Sequence, residues 1–146
     1  MTGVRKMPGV SLESWSDRVA NLVDLCAEEP GEVEHVRETY LMLQAGPPAL
    51  CAPLAQAIAR HELDQLLDAE AAESAAMKFL KNCGFMLSGA PGALYIATVA
   101  LPGARRDFSF SGRSGATAIC GAIATALLDA VTARPVDWQA FPSRDH

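Results

Sequence analysis

The chain has 146 residues (15.4 kDa), about one average domain, and 50% of them are hydrophobic against 20% charged; that excludes a wholly disordered protein, which would be too polar to bury a core. The net charge of −5 is unevenly placed: residues 1–82 hold 13 acids against 7 bases, and residues 83–146 hold 4 against 5. Phosphate backbones are held by Lys and Arg, so the front half is a poor nucleic-acid surface.

Leu12, Trp15, Val19, Leu22, Val23 and Cys26 recur at three- and four-residue steps. That spacing predicts an amphipathic helix, capped by Ser11 and stopped at Pro30-Gly31. A second helix is predicted from about Gly31 to Ala45, with Val33, Val36, Tyr40 and Leu43 inward. Gly46-Pro47-Pro48 ends it, because proline has no amide for another turn. A third helix opens on those prolines and carries Leu50, Leu54 and Ile58. A fourth, from about Leu63, is expected to bury Leu63, Leu66, Leu67, Met77 and Leu80, with Gly84 as its C-terminal cap.

Beyond Gly84 the pattern changes to strands. Phe85-Met86-Leu87 is a short apolar strand, and Gly89-Ala90-Pro91-Gly92 a turn by composition. Ala93 to Leu101 is the strongest strand, broken by Pro102-Gly103. Arg106 to Ser111 alternates, placing Phe108 and Phe110 on the core face and Ser109 and Ser111 outward. An Ala-rich helix follows from Ala116 to about Thr132, with Gly121 and Ala122 where its backbone nears the sheet. The last residues, Arg134 to His146, read as an extended tail with Trp138 and Phe141 as anchors. The expected class is α+β: helices over 11–62, an αβββα unit over 63–132 with a three-stranded antiparallel sheet and a closing helix, and the tail over 133–146.

The order of the αβββα unit resembles two families. Gly112-Arg113-Ser114 followed by Ala118, Ala122 and Ala126-Leu127 resembles the last strand and helix of a double-stranded RNA-binding domain. Gly115 and Ala116 stand where that family has the paired lysines that contact phosphate. Cys83-Gly84-Phe85 and the run Ala116-Thr117-Ala118-Ile119-Cys120-Gly121-Ala122-Ile123 resemble the small phage ABA sandwich domains. That resemblance implies a phage or prophage origin and brings no catalytic residues.

Little in the sequence has the form of a reaction centre. Cys26, Cys51, Cys83 and Cys120 are spaced 25, 32 and 37 residues apart with no Cys-x-x-Cys pair, so they read as core thiols in a reducing compartment. Ser114 reads as a helix N-cap rather than a nucleophile, and His35 and His61 as solvated residues. Gly89 to Gly92 lacks the Lys-Ser/Thr of a phosphate loop. The longest apolar run, Ala116 to Leu128, is short for a membrane span, and Met1 to Val10 has no apolar core of a secretory signal. The expectation is therefore a cytoplasmic protein without catalysis, cofactor or metal.

Two charged regions are the candidate partner-binding sites. Glu28, Glu29, Glu32 and Glu34 bracket Pro30-Gly31 and are expected to form an exposed acidic knuckle, suited to a basic protein groove. Arg105, Arg106 and Arg113 flank the third strand and are expected near one end of the sheet. With the phage resemblance, the expected role is an inhibitor that binds a protein of a host defence complex, one that handles nucleic acid, as an anti-CRISPR protein does. The alternatives are a nucleic-acid-binding module using the three arginines, or a homodimer assembled through strand edges or the Gly/Ala helix.

Overall fold

The structure is a computed structural model that describes residues 11–133 apart from Pro91. Trp138 and Phe141 of the expected tail lie outside the described residues. The elements are α1 (Leu12–Glu28), α2 (Glu32–Ala45), α3 (Pro48–Ala55), α4 (Arg60–Asp68), α5 (Ala72–Lys78), β1 (Gly84–Ser88), β2 (Tyr95–Ala100), β3 (Phe108–Gly112) and α6 (Gly115–Ala133). The strands form one antiparallel sheet in the order β1-β2-β3, so the fold is α+β as the sequence predicts.

Helix α6 is the axis of the molecule. The sheet lies on one side of it, with α1, α2 and α5 around the others. Every residue from Gly115 to Ala124 is buried, because a helix enclosed on all sides needs small apolar residues rather than one apolar stripe. Beneath the sheet it carries Gly121, where a Cβ would overlap the Phe110 ring. At Gly112 of β3 a Cβ would stand 2.7 Å from the Ala118 amide nitrogen, so strand and helix backbones nearly touch. Among the described residues, α6 alone is long and apolar enough to cross a membrane, but 67% of that apolar stretch is buried within the protein. Its small residues from Gly115 to Ala124 are spent on this packing.

One hydrophobic cluster runs from Trp15 in α1 to Val131 in α6, uniting the front helices with the αβββα unit. Trp15 donates its indole N–H to the Met42 carbonyl at 2.8 Å, tying α1 to the end of α2. Arg18 reinforces that pairing with a two-pronged ion pair to Glu38. Phe108 and Phe110 turn inward and are half-buried, while Ser109 and Ser111 are exposed, in the expected alternation.

Three local expectations are corrected. In α2 Val36 and Leu43 face inward as predicted, but they are joined there by His35, Thr39 and Met42, while Val33 and Tyr40 only flank the core. His35 is thus buried, 3% exposed, and not on a solvated face. The predicted fourth helix is two. Glu70 takes the left-handed conformation (φ 60°), and the bonds Ala71 N–H to Leu66 O (2.8 Å) and Glu70 N–H to Leu67 O (3.1 Å) close α4 with a Schellman turn. The new axis of α5 carries Met77 to the surface, and Gly84 opens β1 instead of capping a helix.

Candidate functional site

The acidic knuckle forms as expected. Glu28 ends α1 and Glu29 is its C-cap, Gly31 turns the chain with φ +119°, and Glu32 and Glu34 stand in the first turn of α2. All four glutamates are exposed. Their electrostatic settings differ. Glu32 and Glu34 meet the positive end of the α2 dipole, whereas Glu28 and Glu29 sit at the negative end of α1, which has no basic residue in its last turn.

Arg113 is at this same end of the molecule. With Ser114 and Thr117 at the start of α6, it faces Cys26, Glu29, Pro30, Gly31 and Glu32 across a cleft of about 150 Å³. A neighbouring open depression of about 460 Å³ shares Glu32, Arg113 and Ser114 and adds Glu70, Glu73 and Tyr95. Two further acids, invisible as part of the site in the sequence, thereby join the knuckle. Their signal is tertiary: only the left-handed turn at Glu70 brings residues 70–73 beside the α6 start.

The three arginines do not assemble at one end of the sheet. Arg105 and Arg106 precede β3 and line an apolar hollow of about 410 Å³ with Leu50, Leu101, Phe108 and Asp129, near the last turns of α6. Arg113 follows β3, at the opposite end of both strand and helix. The reason is the strand itself, which is extended and crosses the sheet between them. Arg106 lies 5.0 Å over the Phe108 ring and 3.7 Å from the Asp129 carboxylate.

The start of α6 already holds an anion. Ser114 caps it by accepting the Thr117 amide at 3.1 Å, as its expected role required. A Cβ at Gly115 would overlap the Glu73 carboxylate, which therefore rests against the helix N-terminus. Gly115 and Ala116, standing where the RNA-binding family has its lysines, are buried.

Behind the cleft the polar groups are internal. His35 Nδ1 and Thr117 Oγ1 share a hydrogen bond at 2.9 Å between α2 and α6, and Thr39 Oγ1 donates to the His35 carbonyl at 2.7 Å. Burial lowers the His35 pKa, while Glu34, Glu29 and Glu32 pull the other way. Burial raises the thiols of Cys26 and Cys51 to about 12 and that of Cys83 to about 11, and raises Cys120 as well. A thiolate is the reactive form, so burial disfavours reaction at the buried Cys26, Cys51 and Cys120 and at the half-buried Cys83. All four are unpaired, and no cluster of three or more metal-binding side chains occurs among the described residues.

No protein-family model matches this chain, and neither a curated protein nor a solved structure is significantly similar to it.

Proposed function

We propose that this chain is a non-catalytic protein-binding module whose acidic end docks on a basic protein surface of the kind that holds nucleic acid. In its specific form the proposal is a phage- or prophage-encoded inhibitor of a host defence complex, anti-CRISPR-like and acting in the cytoplasm. The resemblance of Cys83-Gly84-Phe85 and Ala116–Ile123 to phage ABA sandwich domains supports the origin.

The observation that carries the reading is the placement of Glu28 and Glu29. Both are exposed at the C-terminal end of α1, where a negative charge opposes the helix dipole. Residues that work against local stability concentrate at functional sites. Glu32, Glu70 and Glu73 extend the same negative end around Arg113. The separation of Arg105 and Arg106 from Arg113, and the occupation of the α6 start by Glu73, speak less for a phosphate-binding module.

The test is affinity capture on the tagged full chain from a bacterial host extract, before and after nuclease treatment. The proposal expects a protein that stays bound without nucleic acid and elutes as salt rises, since exposed charge pairs are screened. Captured material that disappears on nuclease treatment would turn the reading toward the arginines.

A further inference from the structure

Among the described residues, strand β1 is an edge of the sheet, hydrogen-bonded on one side only, to β2. Edge strands in monomers are usually blunted by Lys, Pro or a bulge, or covered by another element. None of these devices is present in Gly84-Phe85-Met86-Leu87-Ser88. The strand has no charge and no proline, and its five residues pair with Ala100 to Ile96 in unbroken register. Four of the five are exposed, with Phe85 at 45% and Met86 at 67%. The other edge, β3, is flanked by Arg106, Asp107 and Arg113.

Phe85 does not point away from the core face. Through Val99 it stands in one cross-strand row with Phe108, and Leu87 stands likewise with Ala97 and Phe110. Helix α6 packs over β2 and β3 and touches β1 little, so the inner face ends in an uncovered step at β1.

We propose that β1 pairs antiparallel with β1 of a second copy about a twofold axis at Met86, joining two sheets into one of six strands. The strand is nearly palindromic in character: Met86 is central, with apolar Phe85 and Leu87 beside it and small Gly84 and Ser88 outside. That axis sets Phe85 opposite the partner's Leu87, Leu87 opposite the partner's Phe85, and Met86 opposite the partner's Met86. Facing residues then differ by an even number, so outward backbone groups meet outward groups whichever alternate set faces the free edge. Both helical layers stay on one side of the joined sheet. No like charges are opposed, which matters for a chain of net charge −5. A second copy brings the facing apolar residues itself, so the pairing covers Phe85 and Leu87 of both chains at once. Such an isologous contact closes at two chains and does not propagate.

The test is sedimentation equilibrium of the full chain over a concentration series, for wild type, Met86→Lys, Met86→Glu and an equimolar mixture of the two variants. Met86 is mostly exposed, so the variants should keep the wild-type circular dichroism spectrum, and their melting should match that of wild type diluted until it is monomeric. The expected result is a wild-type dimer, two monomeric variants and a heterodimer in the mixture. A wild type that stays monomeric to its solubility limit would overturn the proposal, as would dimeric single variants or a mixture that remains monomeric. Should a variant misfold, amide exchange of residues 84–88 in wild type decides: protection that rises with concentration supports the pairing, and constant protection refutes it.

Discussion

Along the middle of α6, residues 116–124 are enclosed by the sheet and by the front helices, whereas around its start Glu29, Glu32, Glu70, Glu73 and Arg113 gather on the surface. The first region is closely packed, with Gly121 against the Phe110 ring and Ala118 against Gly112 of β3. In the second, Glu28 and Glu29 oppose the α1 dipole and Glu70 holds a conformation that glycine would adopt more readily. On the proposed function, stability and binding would rest on different residues, and substitutions in the two regions should have opposite consequences.

The largest effect belongs to the packed middle. Leucine at Gly121 must displace the Phe110 ring, and Gly121→Leu should cost about 3 kcal/mol, the upper end for overpacking. A Gly121→Leu variant that melts with wild type would break the account of the helix–sheet contact. Acid probes the boundary between the regions, at His35. Its folded pKa is lowered by burial, so the unfolded chain binds the proton more readily. The associated stability is fully present above the unfolded value near 6.5 and is lost as pH falls through the lower folded value. Denaturation midpoints across that window should decline more steeply for wild type than for His35→Gln, and equal slopes would contradict the burial argument.

At the charged end the signs reverse. Glu70→Gly should stabilise by about 1 kcal/mol, since a left-handed residue other than glycine costs roughly that much. Smallest is Glu29→Lys, which replaces an unfavourable charge at the α1 C-terminus with a favourable one. It should raise stability by about 0.3–1 kcal/mol in low salt, an increment that vanishes as salt is added. Destabilisation by either variant would blur the division between the regions.

Most of the architecture is legible in the sequence because the signals are local. Ser11, Pro30-Gly31 and Gly46-Pro47-Pro48 punctuate the first helices, and the alternation of Phe108 and Phe110 with Ser109 and Ser111 marks β3. Glu70 escapes the reading because Ala69-Glu70-Ala71-Ala72 has high helix propensity; only tertiary packing explains a break there. His35 and Thr39 escape it because polar residues are read as outward, while here they bond to one another and to Thr117 inside the core. The site was half legible. The glutamates around Pro30-Gly31 are neighbours in sequence, but the distance between Arg106 and Arg113 depends on β3 being extended, and the arrival of Glu70 and Glu73 depends on a turn with no sequence mark.

The most direct test of the central claim is one binding assay, against the captured partner, on two charge-reversed chains: Glu29→Lys with Glu32→Lys, and Arg105→Glu with Arg106→Glu. In the first, the gain at the α1 terminus and the loss at the α2 terminus should nearly cancel in stability, so any change in binding reports the surface. The account predicts that the glutamate reversal weakens binding at least tenfold, a loss of about 1.4 kcal/mol, while the arginine reversal leaves it nearly unchanged. Loss of binding confined to the arginine reversal, with nucleic acid as the bound species, would contradict it.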